Sequence, residues 1–258
     1  MKINLKITGL LFLLLLSVFI LYLSFEVKDR QTLKIKGIEI TGGKYFSNDG
    51  YASFAMLKDT SYFSYLNPAI IKDRIERHPY VDKAEVRFDG TDKILVRIQE
   101  KKFAAMLVDS TKQVLVTDNM QVIPCLPNSA ELNFPVISNI KDVETFKNFS
   151  FVNGNSEIKT AFKILEVFKL TNSELADNLS QIDLRNGKDI LVYFSNLNFP
   201  VVFGRNDEIK KAVYFNSLWK FMKGNEINIY LDYVDLRFDK HVFLGVTENN
   251  TGNEGKQI

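Results

Sequence analysis

The side chains best suited to chemistry are few in this chain of 258 residues. It has two histidines, His78 and His241, and a single cysteine, Cys125. The two histidines stand far apart in the sequence, without the short spacing of a metal-binding pair. A reactive thiol needs an electropositive setting, which the apolar residues around Cys125 do not provide. We therefore interpret Cys125 as a small apolar residue of the core, and we predict no metal site.

Carboxylates give no clearer catalytic pattern. Asp82 and Glu85 belong to a segment that alternates between apolar and charged residues, so we expect both side chains to face water. The sequence contains no G-x-S-x-G motif, no P-loop and no G-x-G-x-x-G motif. The sequence thus predicts no catalytic residues and no cofactor, and the function is to be sought in binding surfaces.

The composition is that of a folded protein. Hydrophobic residues make up 46% and charged residues 25% of the chain, close to ordinary globular usage. Lys2 and Lys6 are the only charged side chains before residue 26, which leaves 31 basic side chains to balance 31 acidic ones. A nucleic-acid-binding protein needs a basic face, which this balance disfavours.

An apolar stretch near the N-terminus predicts a membrane anchor. Ile7 to Phe25 is a run of 19 residues without a charge, which as a helix would span roughly 28 Å, about the core of a bilayer. A cleaved signal peptide is the alternative, but the segment ends without a small-x-small cleavage site. We predict an uncleaved transmembrane helix. Basic residues on both sides leave its orientation open.

A helix followed by a hairpin is predicted over residues 67–100. Asn67 is a good N-cap, Pro68 suits the first helical turn, and Pro79 ends the helix. Apolar residues then alternate with charged ones on both sides of a turn at residues 90–92. Upstream, residues 33–41 predict a strand with a bulge at Gly37, and a short helix begins at Ser47 or Asn48. The predicted order is strand, helix, helix, strand, strand.

The rest of the chain predicts strands and two helices. Residues 105–108 and 114–116 form a hairpin pattern, and three prolines between Pro124 and Pro135 indicate an irregular connection. One helix is expected at 157–171, capped by Ser156, and the other at 207–222, capped by Asn206. Between them, Asn186-Gly187 is a strong turn signal.

These patterns resemble the FtsQ/DivIB cell-division family. The segment around the hairpin is similar to the end of its POTRA module at Pro79, Val81, Ala84, Val86, Glu100, Lys101 and Ala104. Two departures are Phe103, where the family usually has proline, and a hairpin turn without proline. A second similarity is Tyr233 to Phe238, YVDLRF, which resembles a YVDLRY-type strand near the end of FtsQ proteins.

The resemblance implies an α+β fold in which an N-terminal transmembrane helix precedes a POTRA domain and a β-rich domain with two helices. The expected divisions are a cytoplasmic tail at 1–6, the transmembrane helix at 7–25, a linker at 26–32, the POTRA domain at 33–103, the FtsQ-type β domain at 104–246 and a disordered tail at 247–258.

The resemblance also implies a non-enzymatic scaffold of the bacterial inner membrane, with a cytoplasmic N-terminus and a periplasmic C-terminal domain at the division site. Its partners would be an FtsB-like and FtsL-like pair, with other division proteins at the POTRA domain. A partner segment would add as a strand beside Arg237, Phe238, Val242 and Leu244. Without the resemblance, residues 233–238 are simply a half-buried strand, with Asp235 and Arg237 as an exposed pair.

Two other functions fit parts of the sequence. POTRA modules also occur in protein transport and secretion systems, so this chain could be a component of one. A membrane-anchored periplasmic enzyme is the other alternative. A catalytic cluster assembled by the fold would favour it.

Overall fold

The computed structural model describes residues 5–26, 35–59, 61, 63, 66–90, 92–109, 112–141 and 143–246. The first element is helix α1, Leu5–Glu26. In the described ranges, none of the helices has both the length and the apolar character expected of a membrane span. The predicted linker beyond Glu26 and the predicted tail at 247–258 lie outside the described residues.

A three-stranded sheet with two helices follows, in the predicted order. Its elements are β1 (Gly37–Thr41), α2 (Asn48–Phe54), α3 (Pro68–Glu76), β2 (Val81–Phe88) and β3 (Lys93–Glu100). The strand order is β1-β3-β2, with β1 parallel and β2 antiparallel to β3. This arrangement confirms the predicted strand–helix–helix–strand–strand unit.

Local hydrogen bonds explain where the two helices begin. The Ser47 side chain accepts a hydrogen bond from Gly50 N at 3.0 Å. The Asn67 side chain accepts one from Ile70 N at 2.9 Å, as predicted. The predicted bulge at Gly37 is wrong. Gly37 begins β1 and the register stays regular, because the buried Ile35 lies before the strand and follows no strand period.

His78 lies in the core of this first unit. Its side chain is buried against the rings of Phe46, Tyr51, Phe54 and Tyr80. Its Nδ1 accepts a hydrogen bond from Tyr80 N at 3.2 Å, whereas Nε2 has no partner among the described residues. Burial lowers the pKa of His78 from 6.5 to about 4. The imidazole is therefore neutral in the folded protein near neutral pH.

We expect His78 to make the first unit sensitive to acid. Between pH 6.5 and about 4 the unfolded chain binds a proton at His78 that the folded chain excludes, so stability falls as the pH falls through this window. At about 1.4 kcal/mol per pKa unit, the loss of unfolding free energy is at most about 3.5 kcal/mol. Denaturant unfolding across this range measures it. His78→Phe should make the free energy of unfolding less dependent on pH, whereas the exposed His241→Gln should not. An unchanged pH dependence in His78→Phe would contradict the role of His78 in acid sensitivity.

The second unit is a nine-stranded sheet with helices. Its strands are β4 (Phe103–Val108), β5 (Gln113–Thr117), β6 (Val122–Pro124), β7 (Val136–Ser138), β8 (Leu179–Asp183), β9 (Ile190–Phe194), β10 (Val201–Gly204), β11 (Leu231–Asp235) and β12 (Phe243–Val246). The helices are α4 (Ser156–Thr171), α5 (Ser173–Asn178) and α6 (Glu208–Met222). The strand order is β12-β11-β10-β9-β8-β7-β4-β5-β6.

The described part of this unit contains three α-helices, where two were predicted. The additional helix is α5, which begins because the Asn172 side chain accepts a hydrogen bond from Leu175 N at 3.2 Å. The N-cap of α4 is Asn155 rather than Ser156. Asp207, not Asn206, stands at the N-cap of α6, in a left-handed conformation without a side-chain cap bond.

The core of the second unit lies between the sheet and helices α4 and α6. Phe168 of α4 packs edge-on against Phe194 of β9, and Phe194 stacks on Phe215 of α6 with ring centroids 5.4 Å apart. Val201, Phe203 and Val234 are buried in the same cluster. This packing holds β10 and β11 in place. β11 in turn pairs with β12, the strand at one end of the sheet.

Candidate functional site

The nine-stranded sheet ends at β12. Within the described residues β12 pairs only with β11, so its other edge carries main-chain groups without a strand partner. The apolar side chains of β12 are exposed to solvent to an unusual degree. Phe243 is 51% exposed and Leu244 is 38% exposed. An exposed strand edge with apolar side chains is suited to pairing with an extended segment of another chain.

Arg237 connects the end of β11 to the turn before β9. Its Nε lies 3.0 Å from both carboxylate oxygens of Asp235, and its Nη2 lies 2.6 Å from Asp235 Oδ2. Its Nη1 donates to Asp189 Oδ2 at 2.8 Å. The Asp235 side chain is buried, whereas those of Arg237 and Asp189 are partly exposed. The predicted exposed pair is thus wrong for Asp235, which lies in the interior.

The Arg237 guanidinium and its hydrogen-bond partners shift one another's pKa values. Burial raises the pKa of Asp235, but the side-chain and backbone hydrogen bonds from Arg237 and the charges of Arg237 and Lys211 outweigh it, so the pKa is lowered overall. Hydrogen bonds to Asp235 and then to Asp189 raise the pKa of Arg237 above its ordinary value. Asp235 and Arg237 are therefore charged at neutral pH, and the Arg237 guanidinium is held in place.

Gly204 makes room for the Arg237 side chain. It ends β10 with a φ of +64°, a conformation that favours glycine. A Cβ at this position would lie 2.7 Å from Arg237 Cγ. The glycine after Phe203 thus lets the aliphatic part of Arg237 cross β10 and reach Asp189.

Aromatic rings cover the surface next to Arg237. Phe238 is 51% exposed, and its ring packs edge-on against Phe243 with centroids 4.7 Å apart. The Tyr233 ring of β11 lies over Gly245 of β12, where a Cβ would collide with the ring. A glycine inside a strand is a sequence signal for such a close approach, but Gly245 was not predicted to belong to this surface.

Of the four predicted binding residues, Phe238, Val242 and Leu244 lie in or beside β12, whereas the Arg237 side chain extends from beyond the end of β11 across β10 to Asp189. Leu244 lies in β12, and Val242 is the residue directly before the first residue of β12. Arg237 and Phe238 were expected in a strand, but β11 ends at Asp235. The Asp235 carboxylate accepts a hydrogen bond from Arg237 N at 2.9 Å, which turns the chain away from the ladder. Asp189 and Phe243 complete the surface and were not predicted.

The residues considered for chemistry lie apart from this edge. His241 is exposed in the turn before β12, and His78 is buried in the first unit. Cys125 is half-buried beside apolar residues, where burial raises the pKa of its thiol. In the ranges that the structure describes, no three His, Cys, Asp or Glu side chains are grouped so that they could hold a metal ion.

Comparison with known protein families shows to which family the chain belongs. The model of the POTRA domain, FtsQ-type, matches residues 33–101. The model of the cell division protein FtsQ/DivIB, C-terminal, matches residues 104–237, which is more than half of the chain. The chain belongs to the FtsQ/DivIB family. The predicted family resemblance is confirmed, and the chain is a member of a family of cell-division proteins.

The FtsQ/DivIB match includes Arg237 and ends there, so Phe238, Val242 and Leu244 lie beyond it. Among solved structures, the chain is similar to the major extracytoplasmic domain of the cell division protein DivIB from Geobacillus stearothermophilus, as its trans isomer, at 11% identity. The similarity covers 49% of this chain and 98% of that one, with a TM-score of 0.29. A search of curated proteins finds no match.

Proposed function

We propose that this FtsQ/DivIB protein is a non-enzymatic division scaffold that captures an extended segment of an FtsB/FtsL-like pair at β12. By holding this pair it would link early and late division proteins and help to control septal cell-wall synthesis. The observation that carries the proposal is the open edge of β12, which bears the exposed ring of Phe243 packed on that of Phe238 and pairs with β11, the strand that Arg237 holds at its end.

The edge suits this role physically. Main-chain groups along β12 supply hydrogen bonds to any extended segment, and alternate side chains supply selectivity. The Arg237–Asp235–Asp189 network holds the end of β11 in one conformation before a partner arrives. Pre-organisation of this kind lowers the entropy cost of binding. We place Arg237, Phe238, Val242 and Leu244 at the contact.

We further propose that residues 7–25 anchor the protein in the inner membrane after a cytoplasmic tail at 1–6. Residues 26–32 would link the anchor to a POTRA domain at 33–103 and a β domain at 104–246 in the periplasm, with a disordered tail at 247–258. The uncharged run between Ile7 and Phe25 supports the anchor. Other division proteins would bind the POTRA domain.

Depletion of the protein in cells tests the role in division. We expect filamentous cells, because septation would stop while growth continues, and we expect the wild-type chain to restore division. A chain with Phe238→Ala, which keeps the Arg237–Asp235 pair, should reach the membrane at normal abundance yet restore division poorly. Normal septation after depletion would contradict the division role. Full rescue by Phe238→Ala would leave that role intact and overturn the assignment of the edge.

A further inference from the structure

The two sheets of the protein share a packed contact, in addition to the short connection at Lys101 and Lys102. A separate apolar cluster lies between them, made by side chains from the first unit and from the outer face of the second sheet. Its buried members are Tyr80, Phe103, Met106, Leu115 and Ile123. Units of one chain usually move relative to each other unless such an apolar interface holds them.

Residues 125–135, which we call the strap, close this contact. They form neither helix nor strand and supply apolar side chains to the cluster, among them Leu126 and Phe134. The strap leaves the second sheet at Pro124 and returns to it at Val136, and between these points it lies against the first unit. It is the proline-containing segment that the sequence marked as irregular.

The first attachment of the strap is the hydroxyl of Tyr80. Tyr80 is fully buried, and its Oη accepts a hydrogen bond from Leu126 N at 2.9 Å. Its Oη also lies 2.9 Å from Ser129 Oγ, which itself donates to Leu126 O at 2.7 Å. Because the serine proton is used for Leu126, the Tyr80 hydroxyl donates to Ser129. This small network leaves none of its hydroxyl groups unpaired.

The second attachment is Tyr45, from a different loop of the first unit. Ala130 N donates to Tyr45 O at 2.9 Å. The Tyr45 ring packs against Phe103 and Phe134, with centroids 5.2 and 5.4 Å apart. The Glu100 carboxylate accepts hydrogen bonds from Tyr45 N, so the loop that carries Tyr45 is itself held to the end of β3.

We propose that the strap is a latch that locks the two units into one rigid body. Two attachments at Tyr80 and Tyr45 restrict rotation about more than one axis, which a single connection at residues 101–102 cannot do. The latch would hold the β12 edge at a fixed position relative to the first sheet. The proposal rests on the contacts of the strap alone and does not depend on which partner binds at β12.

Paired substitutions can release the latch without emptying the cluster. Tyr80→Phe removes the hydroxyl and keeps the ring, and Ala130→Pro removes the N–H that Tyr45 O accepts. Tyr230→Phe is the matched control, because it also removes one hydroxyl but is exposed at the end of the 3₁₀ helix Glu226–Tyr230, before β11. Each latch substitution is also made singly, in case the double variant does not fold.

Distances between spin labels in the full chain in nanodiscs measure the effect. Labels carried by non-canonical amino acids at the exposed positions Arg87 and Asn196 report on the two units and leave Cys125 in place. We expect one narrow distance distribution in the wild type and in Tyr230→Phe, and a broad one in the latch variants. Hydrogen exchange of residues 126–130 should become about tenfold faster in these variants, with the cores of both sheets still protected. A broad wild-type distribution, or folded latch variants with the wild-type distribution, overturns the proposal.

Discussion

Replacing Glu100 by alanine will destabilise the first sheet more than any other single change to a charged residue there. The Glu100 carboxylate accepts hydrogen bonds from the backbone N–H groups of Lys44, Tyr45 and Phe46 at 2.9–3.2 Å, and from the Tyr51 hydroxyl at 2.5 Å. Burial of Tyr51 and then its bond to Glu100 raise the pKa of that hydroxyl, so it stays a donor. Alanine leaves all four donors without this acceptor.

We expect a loss of about 3 kcal/mol, because hydrogen bonds to a charged group contribute about 1.5–3 kcal/mol each and the site is only partly buried. Hydrogen exchange of the full chain reads this effect separately for the two sheets. Strands β1 and β3 should exchange about a hundredfold faster and β8 to β11 should be unchanged. Glu85→Ala, an exposed glutamate of β2, is the matched control. Equal exchange in the two variants would contradict this role of Glu100.

Much of the first unit could be predicted because its signals are local. The Asn67 cap and the alternation along β2 and β3 each act within a few residues, and the structure contains all of them. One of the two departures from the family pattern, Phe103, also has a structural setting. Phe103 begins β4 and packs against Tyr45 and Tyr80, so an aromatic ring at this position fills the contact between the units.

The proposed binding edge could be predicted only in part. The alternation at residues 233–238 indicated a strand, but the side chain of Asp235 captures the backbone of Arg237 and ends the strand early. The network also needs Asp189 and Gly204, which are 48 and 33 positions away from Arg237 and carry no local signal of their partnership. The contacts of Asp189 and Gly204 with Arg237 depend on which strands are neighbours in the sheet. The periodicity of apolar residues along the chain does not predict that order.

The second large effect concerns capture of the partner at this edge. We expect Phe238→Ala to weaken binding of an FtsB/FtsL-like pair by about thirtyfold or more, since aromatic side chains at the centre of an interface often contribute about 2 kcal/mol or more. Phe238→Ala leaves the Arg237–Asp235 bonds in place. Arg237→Glu should weaken capture further, because it sets a third carboxylate beside Asp235 and Asp189.

Phe149→Ala is the matched control for Phe238→Ala. Both side chains are 51% exposed, but Phe149 N donates to Val122 O of β6, at the opposite end of the sheet. Lys163→Glu on the exposed face of α4 is the corresponding control for charge reversal. Both controls should bind as the wild type does.

Hydrogen exchange of the full chain, with and without the FtsB/FtsL-like pair, tests strand capture most directly. If an extended segment pairs with β12, the outward-facing amides of residues 243–246 gain hydrogen-bond partners and their exchange slows by about a hundredfold or more. The same amides should stay fast when Phe238→Ala and Arg237→Glu are combined. A bound pair that leaves β12 exchange unchanged, and protects another surface instead, would contradict capture at this edge.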